Sequence, residues 1–562
     1  MASMAPSGSI LGRGHARPQA RALGDSLWPA LALGFVFILH FHLALTRSIN
    51  WDEFHFLGQV HTFVRGELTL PLQSLHVRMF AWLAPLDMAG VDQIRIARMF
   101  MLAAEAVTCA SITLIARRFV SLPYALTCAL AYVTAAYVVQ HGWSFRTDPI
   151  ATAFSMSALA ILARSKFSMI AIAAFALLMG TAFMVTMKIV LFAPAFAGIA
   201  WMRWSEAGFQ FKRALQIAAG PVIAIGVAAV IYALHSLSLA PADKAAEMVS
   251  HSGESMFKLG LSKNLRYLSH GALFALPFVM ALIITPFALK ERTDVPKAKL
   301  VAILGLAAMT VTPLYYINSF PYFYAFMLAP IAAGLGFGIK ALSERYGHNV
   351  VLAVFAGWGL MVWFVDGESH LDKQRTIQIA AAQMFDEPVN YLDFPNFLPR
   401  HRKANSFLSG WGKRNYIAGK GSKFTETLSK TQVPMLAAVE REDNPFLLSA
   451  MTDIPRGYSF FDEDLAALKT TYRQVWGPLY VAGTTLKAGE TRDWQVWVPG
   501  PYKADAAITV NGAQYAAGDI VTLERGSATL TAPENAPTGL LWGTNTRVPT
   551  LPVPERPYWT DF

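Results

Sequence analysis

Apolar residues fill the first two-thirds of the chain in runs long enough to cross a bilayer, and charged positions gather at the ends of those runs. The pattern predicts eleven membrane-spanning helices, over about 27–46, 95–116, 119–138, 149–163, 168–187, 189–202, 214–236, 270–289, 299–316, 322–341 and 349–365. The fourth and sixth are short for a hydrocarbon core about 30 Å thick. The fold class expected is a polytopic α-helical membrane protein of about 11–13 spans. From about residue 366 the pattern changes: charged residues become frequent and no further span appears. Residues 370–385 carry a helical pattern, 404–450 alternate short apolar runs with polar turns as mixed α/β, and from about 471 strand patterns recur. Gln474-Val475-Trp476, Trp494-Gln495-Val496-Trp497-Val498 and Ala507-Ile508-Thr509-Val510 read as strands, with turns at Pro499-Gly500-Pro501 and Asn511-Gly512. The expected domains are a basic N-terminus (1–26), a membrane domain (27–365) with a first outer loop (47–94), and a C-terminal mixed α/β domain (366–562).

Composition agrees with the membrane class. The chain is 54% hydrophobic and 15% charged, with mean hydropathy +0.37, where a soluble domain carries about 25% charged residues. A net charge of +10 would raise nucleic acid in a soluble protein. Here basic cytoplasmic loops and anionic membrane lipids account for it, and no nucleic-acid partner is expected. Two cysteines, Cys109 and Cys128, both in apolar stretches, exclude a disulfide framework and a thiolate metal site. Arg13, Arg17 and Arg21 precede the first apolar run without a small-residue cleavage site, so the first span is read as retained. Lys and Arg collect after the even-numbered spans, at Arg117-Arg118, Arg164 with Lys166, Arg203 with Lys212-Arg213, Lys290 with Arg292, and Arg345. Those loops are cytoplasmic by the positive-inside rule, and the loops after odd spans, with the C-terminal domain, lie outside. The outer loop 237–269 breaks the rule with Lys244, Lys258, Lys263 and Arg266, which suggests contact with phosphate.

Candidate chemistry concentrates on the outer side. The first outer loop opens Asn50-Trp51-Asp52-Glu53-Phe54-His55-Phe56. Two carboxylates at the end of an apolar helix are costly unless solvated or used. Phe54, Leu57, Val60, His61 and Val64 recur at helical spacing up to Arg65-Gly66, which predicts an interfacial helix that fixes Asp52 at headgroup depth. A helix cap in a wet loop is the alternative for the pair. Further on, His76 and Arg78 offer hydrogen bonds to a phosphate, although a snorkelling Arg also explains the latter. Asp148-Pro149 fits a helix N-cap followed by proline, with Arg146 two residues before it. Lys188 interrupts an otherwise uncharged run over about 167–202, and an ammonium recessed there requires an anion. The aromatic stretch Tyr315 to Tyr324 fits an interfacial belt, or a wall for a sugar or prenyl chain formed by Tyr322 and Tyr324. No glycine-rich nucleotide loop is present in the sequence.

Together these elements resemble the integral-membrane glycosyltransferases of the GT-C superfamily, nearest in character to protein O-mannosyltransferases and bacterial aminoarabinose transferases that modify lipid A. Trp51-Asp52-Glu53-Phe54-His55-Phe56 is similar to the Asp-Glu-x-His-Phe motif of the mannosyltransferases, in which the Asp is the catalytic base. Asp148-Pro149 looks like the second family acid, and Lys188 like the element that binds the donor phosphate, with Met187 in place of its usual Thr. His76 stands roughly where the family has a basic residue before two prolines, which Val77-Arg78 replace here. The resemblance covers about residues 25–200. It implies a polyprenyl-phosphate-linked sugar as donor and a glycan, lipid or protein acceptor on the outer face. It also implies inversion with Asp52 as base, and Lys188 with Arg146, His76 or Arg78 at the phosphate. Glu53 and Asp148 would orient the acceptor or hold Mg²⁺ or Mn²⁺. The expected location is a bacterial inner membrane with the C-terminal domain in the periplasm. A secondary transporter and an envelope-assembly scaffold are the alternatives. A transporter predicts paired repeats with broken helices at the midplane, and the charges here sit at outer helix ends instead.

Overall fold

The protein is described by a computed structural model over residues 18–69, 75–239, 241, 243, 265–366, 369–405, 410–439 and 460–559. Each predicted span coincides with a helical segment. The first ten helices are α1 (Pro18–Thr46), α2 (Trp51–Val64), α3 (Leu75–Met79), α4 (Gly90–Ala116), α5 (Leu122–Val133), α6 (Ala136–His141), α7 (Thr147–Arg164), α8 (Met169–Val185), α9 (Ala193–Glu206) and α10 (Phe211–His235). Helices Leu265–Leu273, Leu276–Lys290, Lys297–Ala307, Pro321–Gly334, Gly336–Tyr346 and His348–Val365 complete the membrane part. Five helices are long and apolar enough to cross a membrane by length and composition alone, or seven if two bent pairs each count as one span. The other predicted spans are short, interrupted or, in the case of α7, less apolar. A tight 3₁₀ turn, Met187–Phe192, takes up the start of the sixth and leaves α9 only 14 residues. The pair Leu265–Leu273 and Leu276–Lys290 bends by 88°, next to Pro277, which has no N–H to continue the helical ladder. Lys244, Lys258 and Lys263 lie outside the described residues, while Arg266 stacks on Tyr267.

The interfacial helix forms as its sequence dictates. Asn50 caps α2, and Glu53 closes a capping box by accepting from the Asn50 N–H. Gly66, at φ 73°, turns the chain after Val64.

Beyond the membrane part, the helix Leu371–Met384 leads into two sheets. Twelve strands are described: β1 (Asn390–Leu392), β2 (Arg402–Lys403), β3 (Met435–Ala437), β4 (Tyr472–Trp476), β5 (Leu479–Leu486), β6 (Thr491–Val496), β7 (Gly500–Ala504), β8 (Ile508–Val510), β9 (Ala513–Tyr515), β10 (Ile520–Leu523), β11 (Gly526–Thr531) and β12 (Thr538–Trp542). The larger sheet runs β10-β7-β12-β5-β3-β1-β2, with β4 also paired to β5, and the smaller runs β6-β11-β8-β9. β1 pairs in parallel with β2 and β3, and the later strands pair antiparallel. Asn511 and Gly512 both have positive φ, the geometry that lets a two-residue hairpin match strand twist, and they join β8 to β9.

This C-terminal part is docked onto the loop that carries α2. Gln374 and Gln378 lie one turn apart on the helix Leu371–Met384. Gln374 accepts from Ile49 N–H at 2.9 Å and donates to the carbonyls of Ile49 and Tyr558. Gln378 accepts from Val91 N–H at 2.9 Å and donates to Phe397 O at 2.6 Å. Both ends of the first outer loop are thus tied to one helix face. Trp51 and Phe54 of α2 pack against Phe394, Phe397 and Trp559 with ring separations of 4.8–6.4 Å. Gly58 faces Asn396 so closely that an added Cβ would lie 1.7 Å from its amide nitrogen.

Candidate active site

The consecutive residues Asp52 and Glu53 point into different environments. Glu53 is buried. Arg98, one-third of the way along α4, donates to both its oxygens, Nε at 2.8 Å and Nη2 at 2.6 Å. The N–H groups of Asn50 and Phe145 add bonds at 3.1 and 2.8 Å. Burial alone would raise the Glu53 pKa, but the Arg98 charge, the Arg98 hydrogen bonds and the two amides outweigh it and hold the carboxyl below its ordinary value. Arg98 is in turn anchored by the carbonyls of Ala44, Arg47 and Ser48 and lies over the Trp143 ring. Every strong donor around Glu53 is therefore already used within the protein.

Asp52 pairs instead with Arg146 Nη1, and its side chain keeps 20% exposure. Arg146 Nε lies 3.6 Å from Asp148 Oδ2, so one guanidinium bridges two carboxylates. Lys188 Nζ donates to Asp148 Oδ1 at 2.8 Å. Tyr322 closes the cluster: its ring lies 3.5 Å from Arg146 Cζ and 5.3 Å from Lys188 Nζ. These residues come from α2, the segment before α7, the first turn of α7, the 3₁₀ turn after α8, and the start of the helix Pro321–Gly334. They meet because each lies at or next to a helix terminus.

Asp148 is placed differently from its expected role. Helix α7 starts at Thr147 after Arg146, so Asp148 sits inside the first turn and no side chain caps the end. Its buried oxygens face Lys188 and Arg146, charged partners stronger than the backbone N–H groups of the helix end. His76 and Arg78 do not join the cluster through any hydrogen bond. Arg78 donates to His235 Nδ1 at 3.0 Å and lies over Phe63. His76 is fully buried against Phe56, Phe80 and Phe145, and neither ring nitrogen is bonded to a described residue. Burial pushes its pKa down to about 3, against the pull of the Asp148 charge. Tyr324 turns away from the cluster, towards Tyr137 at 5.1 Å.

Sequence reasoning passed over Arg98 and His55. Arg98 was signalled by its position inside an apolar span, where a lone cation requires a partner. His55 follows Asp52 on α2, and burial pushes its pKa down to about 4, aided by Lys403 and Arg146 and opposed by Asp52. Lys403, on β2, brings the C-terminal part to the edge of the site. Among the described residues no three carboxylates, imidazoles or thiols converge on one point. Of the two expected metal ligands, Glu53 is taken up by Arg98 and two amides and Asp148 by Lys188 and Arg146, so the residues as arranged do not fit a metal.

No family model matches the chain, and no curated protein matches it in sequence. Solved structures resemble it in fold. The structure of ArnT from Cupriavidus metallidurans bound to undecaprenyl phosphate matches with TM-score 0.53 and 15% identity, over 73% of this chain and 92% of its own. The apo structure of the same protein matches with TM-score 0.51 and 13% identity, over 74% and 93%. The apo oligosaccharyltransferase of Archaeoglobus fulgidus matches with TM-score 0.49 and 11% identity, over 92% and 95%. The ArnT likeness shows the fold: over about three-quarters of its length the chain shares the architecture of that protein, and it carries several helices long and apolar enough to cross a membrane.

Proposed function

We propose that the protein transfers a sugar from a polyprenyl-phosphate-linked donor to a hydroxyl or amine of a glycan, lipid or protein, at the outer face of a bacterial inner membrane. The observation that carries this reading is the bridged cluster Asp52–Arg146–Asp148–Lys188. Two carboxylates and two cations meet in a recess that retains some exposure at Asp52. An arriving phosphate competes with the carboxylates for the two cations. ArnT, which shares the fold, has been solved with undecaprenyl phosphate bound, and a donor of that chemical class suits an outer-face site with no nucleotide loop.

Asp52 is the proposed general base. A weak base is sufficient because the acceptor proton leaves late, as the anomeric carbon gains oxocarbenium character. The acceptor oxygen or nitrogen forms the new bond to that carbon, the bond to the phosphate oxygen breaks, and the configuration inverts. The leaving phosphate is a weak base that needs charge stabilisation rather than a proton. Lys188 and Arg146 supply it, in a setting where a unit charge about 4 Å away is worth about 4 kcal/mol at an effective dielectric constant of 20. Tyr322 positions both cations. Glu53 acts as support, locking α2 to α4 so that Asp52 is presented at a fixed depth.

The test is direct. Purified protein given a polyprenyl-phosphate sugar and an envelope extract should release polyprenyl phosphate and label an envelope component. A transporter or a scaffold would leave the donor intact.

A further inference from the structure

A second charged recess lies at the opposite end of the molecule. Helix α4 starts beside Glu53 and, 27 residues later, ends at Arg117, about 40 Å away along its axis. There a cavity of about 370 Å³ is lined by Arg117, Arg118, Arg292, Lys299 and Lys340, with Asp294 on its rim. Phe119, Val120, Val295 and Phe337 form its apolar wall. The nearby acids leave the cations underbalanced. Arg118 pairs with Glu206, and Arg292 and Lys340 share Glu344 at 3.4 and 3.6 Å. Five cations thus face three carboxylates. Among the described residues no side-chain hydrogen bond or ion pair engages Arg117 or Lys299, and Arg118 Nε is shut off from solvent with no partner. Two helices, α5 and Lys297–Ala307, begin at this wall, at Ser121 and Pro296, and neither has a side-chain cap. Their first N–H groups add partial positive charge.

The positive-inside rule requires basic residues on this side. It does not require them to converge on one cavity with an apolar wall. We propose that this cavity binds a phosphate-bearing anion, with the two uncapped helix ends and Arg117, Arg118 and Lys299 as its donors. A membrane phosphodiester headgroup and free phosphate share this chemistry. The site is independent of the proposed transfer reaction, because it faces the other side of the membrane.

The experiment uses full-length protein in detergent, titrated with phosphatidylglycerol, phosphatidylcholine or inorganic phosphate, with bound lipid counted by native mass spectrometry and phosphate binding followed calorimetrically. Phosphatidylglycerol should be retained in preference to phosphatidylcholine. R117A/K299A should lower its affinity roughly thirtyfold, about fivefold for each cation, while K166A, on the same face outside the cavity, should match the wild type. Unfolding midpoints of both variants should equal the wild-type value. Phosphate binding that R117A/K299A abolishes, without lipid preference, would support the same chemistry with a soluble source. Neither lipid preference nor phosphate binding, or equal losses in K166A and R117A/K299A, would overturn the proposal.

Discussion

Asp52 and Glu53 are adjacent in sequence, yet they belong to two different charge networks. The Glu53–Arg98 network is closed: the two side chains are 2% and 1% exposed, and backbone groups satisfy what the pair leaves over. The Asp52–Arg146–Asp148–Lys188 network is open: one guanidinium serves two carboxylates, and exposure rises to 20% at Asp52 and 15% at Lys188. A saturated buried pair has no capacity left for a ligand. A network that shares its cations can exchange partners when a new anion enters. Saturation, together with the greater exposure of Asp52, separates the supporting acid from the proposed chemical one.

The largest effect should come from Asp52→Asn, which is predicted to lower transfer by about 10²–10⁴-fold with an unchanged unfolding midpoint. Full activity in a folded D52N protein would break the comparison. Next, Glu53→Gln should destabilise the fold by about 3–5 kcal/mol, because Arg98 is left buried without its counter-charge. Thermal unfolding in detergent reads this, and a stable but inactive E53Q protein would place Glu53 in the chemistry instead. Lys188→Ala should raise the donor KM by roughly tenfold or more, as a charge-assisted contact worth about 1.5–3 kcal/mol is lost, with little change in the acceptor KM. Steady-state kinetics with each substrate varied separates the two. The smallest effect concerns His76, which sits between the networks. An unfolded His takes up a proton near its ordinary pKa of 6.5, whereas burial holds the folded group at about 3. Stability is therefore complete above pH 6.5 and is lost as pH falls towards 3. His76→Phe should flatten that decline, measured as unfolding midpoints at pH 7.5 and pH 5, and an unchanged slope would show that His76 finds a partner in solution.

Much of the site was legible because helix ends are legible. Asp52, Arg146, Asp148 and Lys188 stand at boundaries of apolar runs, and the alternation of sides in a polytopic chain puts them on one face. Direction within that face was not legible. Arg78 lies on a five-residue helix and turns towards His235, a contact 157 residues away that no local pattern encodes. The same limit hid Arg98. Its need for an anion could be read, but the choice of Glu53 depends on how α2 folds back over α4. His40 and Glu105, 2.9 Å apart in the membrane part and fully buried, are a second such pair. In the C-terminal part, the strands from about 471 followed from alternation. The docking of Gln374 and Gln378 did not, because a glutamine on a helix carries no mark of the backbone it will meet.

Those two glutamines also bear on how such a protein could be re-engineered. The natural place to exchange a C-terminal domain is the end of the last membrane helix, at Val365. A seam there would cut across a joint in which Gln374 holds Ile49 and Gln378 holds Val91. The helix Leu371–Met384 and the segment as far as Pro399, which meets Gly90, are mechanically part of the first outer loop although they lie about 300 residues downstream. A chimera should carry that stretch with the loop it clamps, and change partners only beyond it.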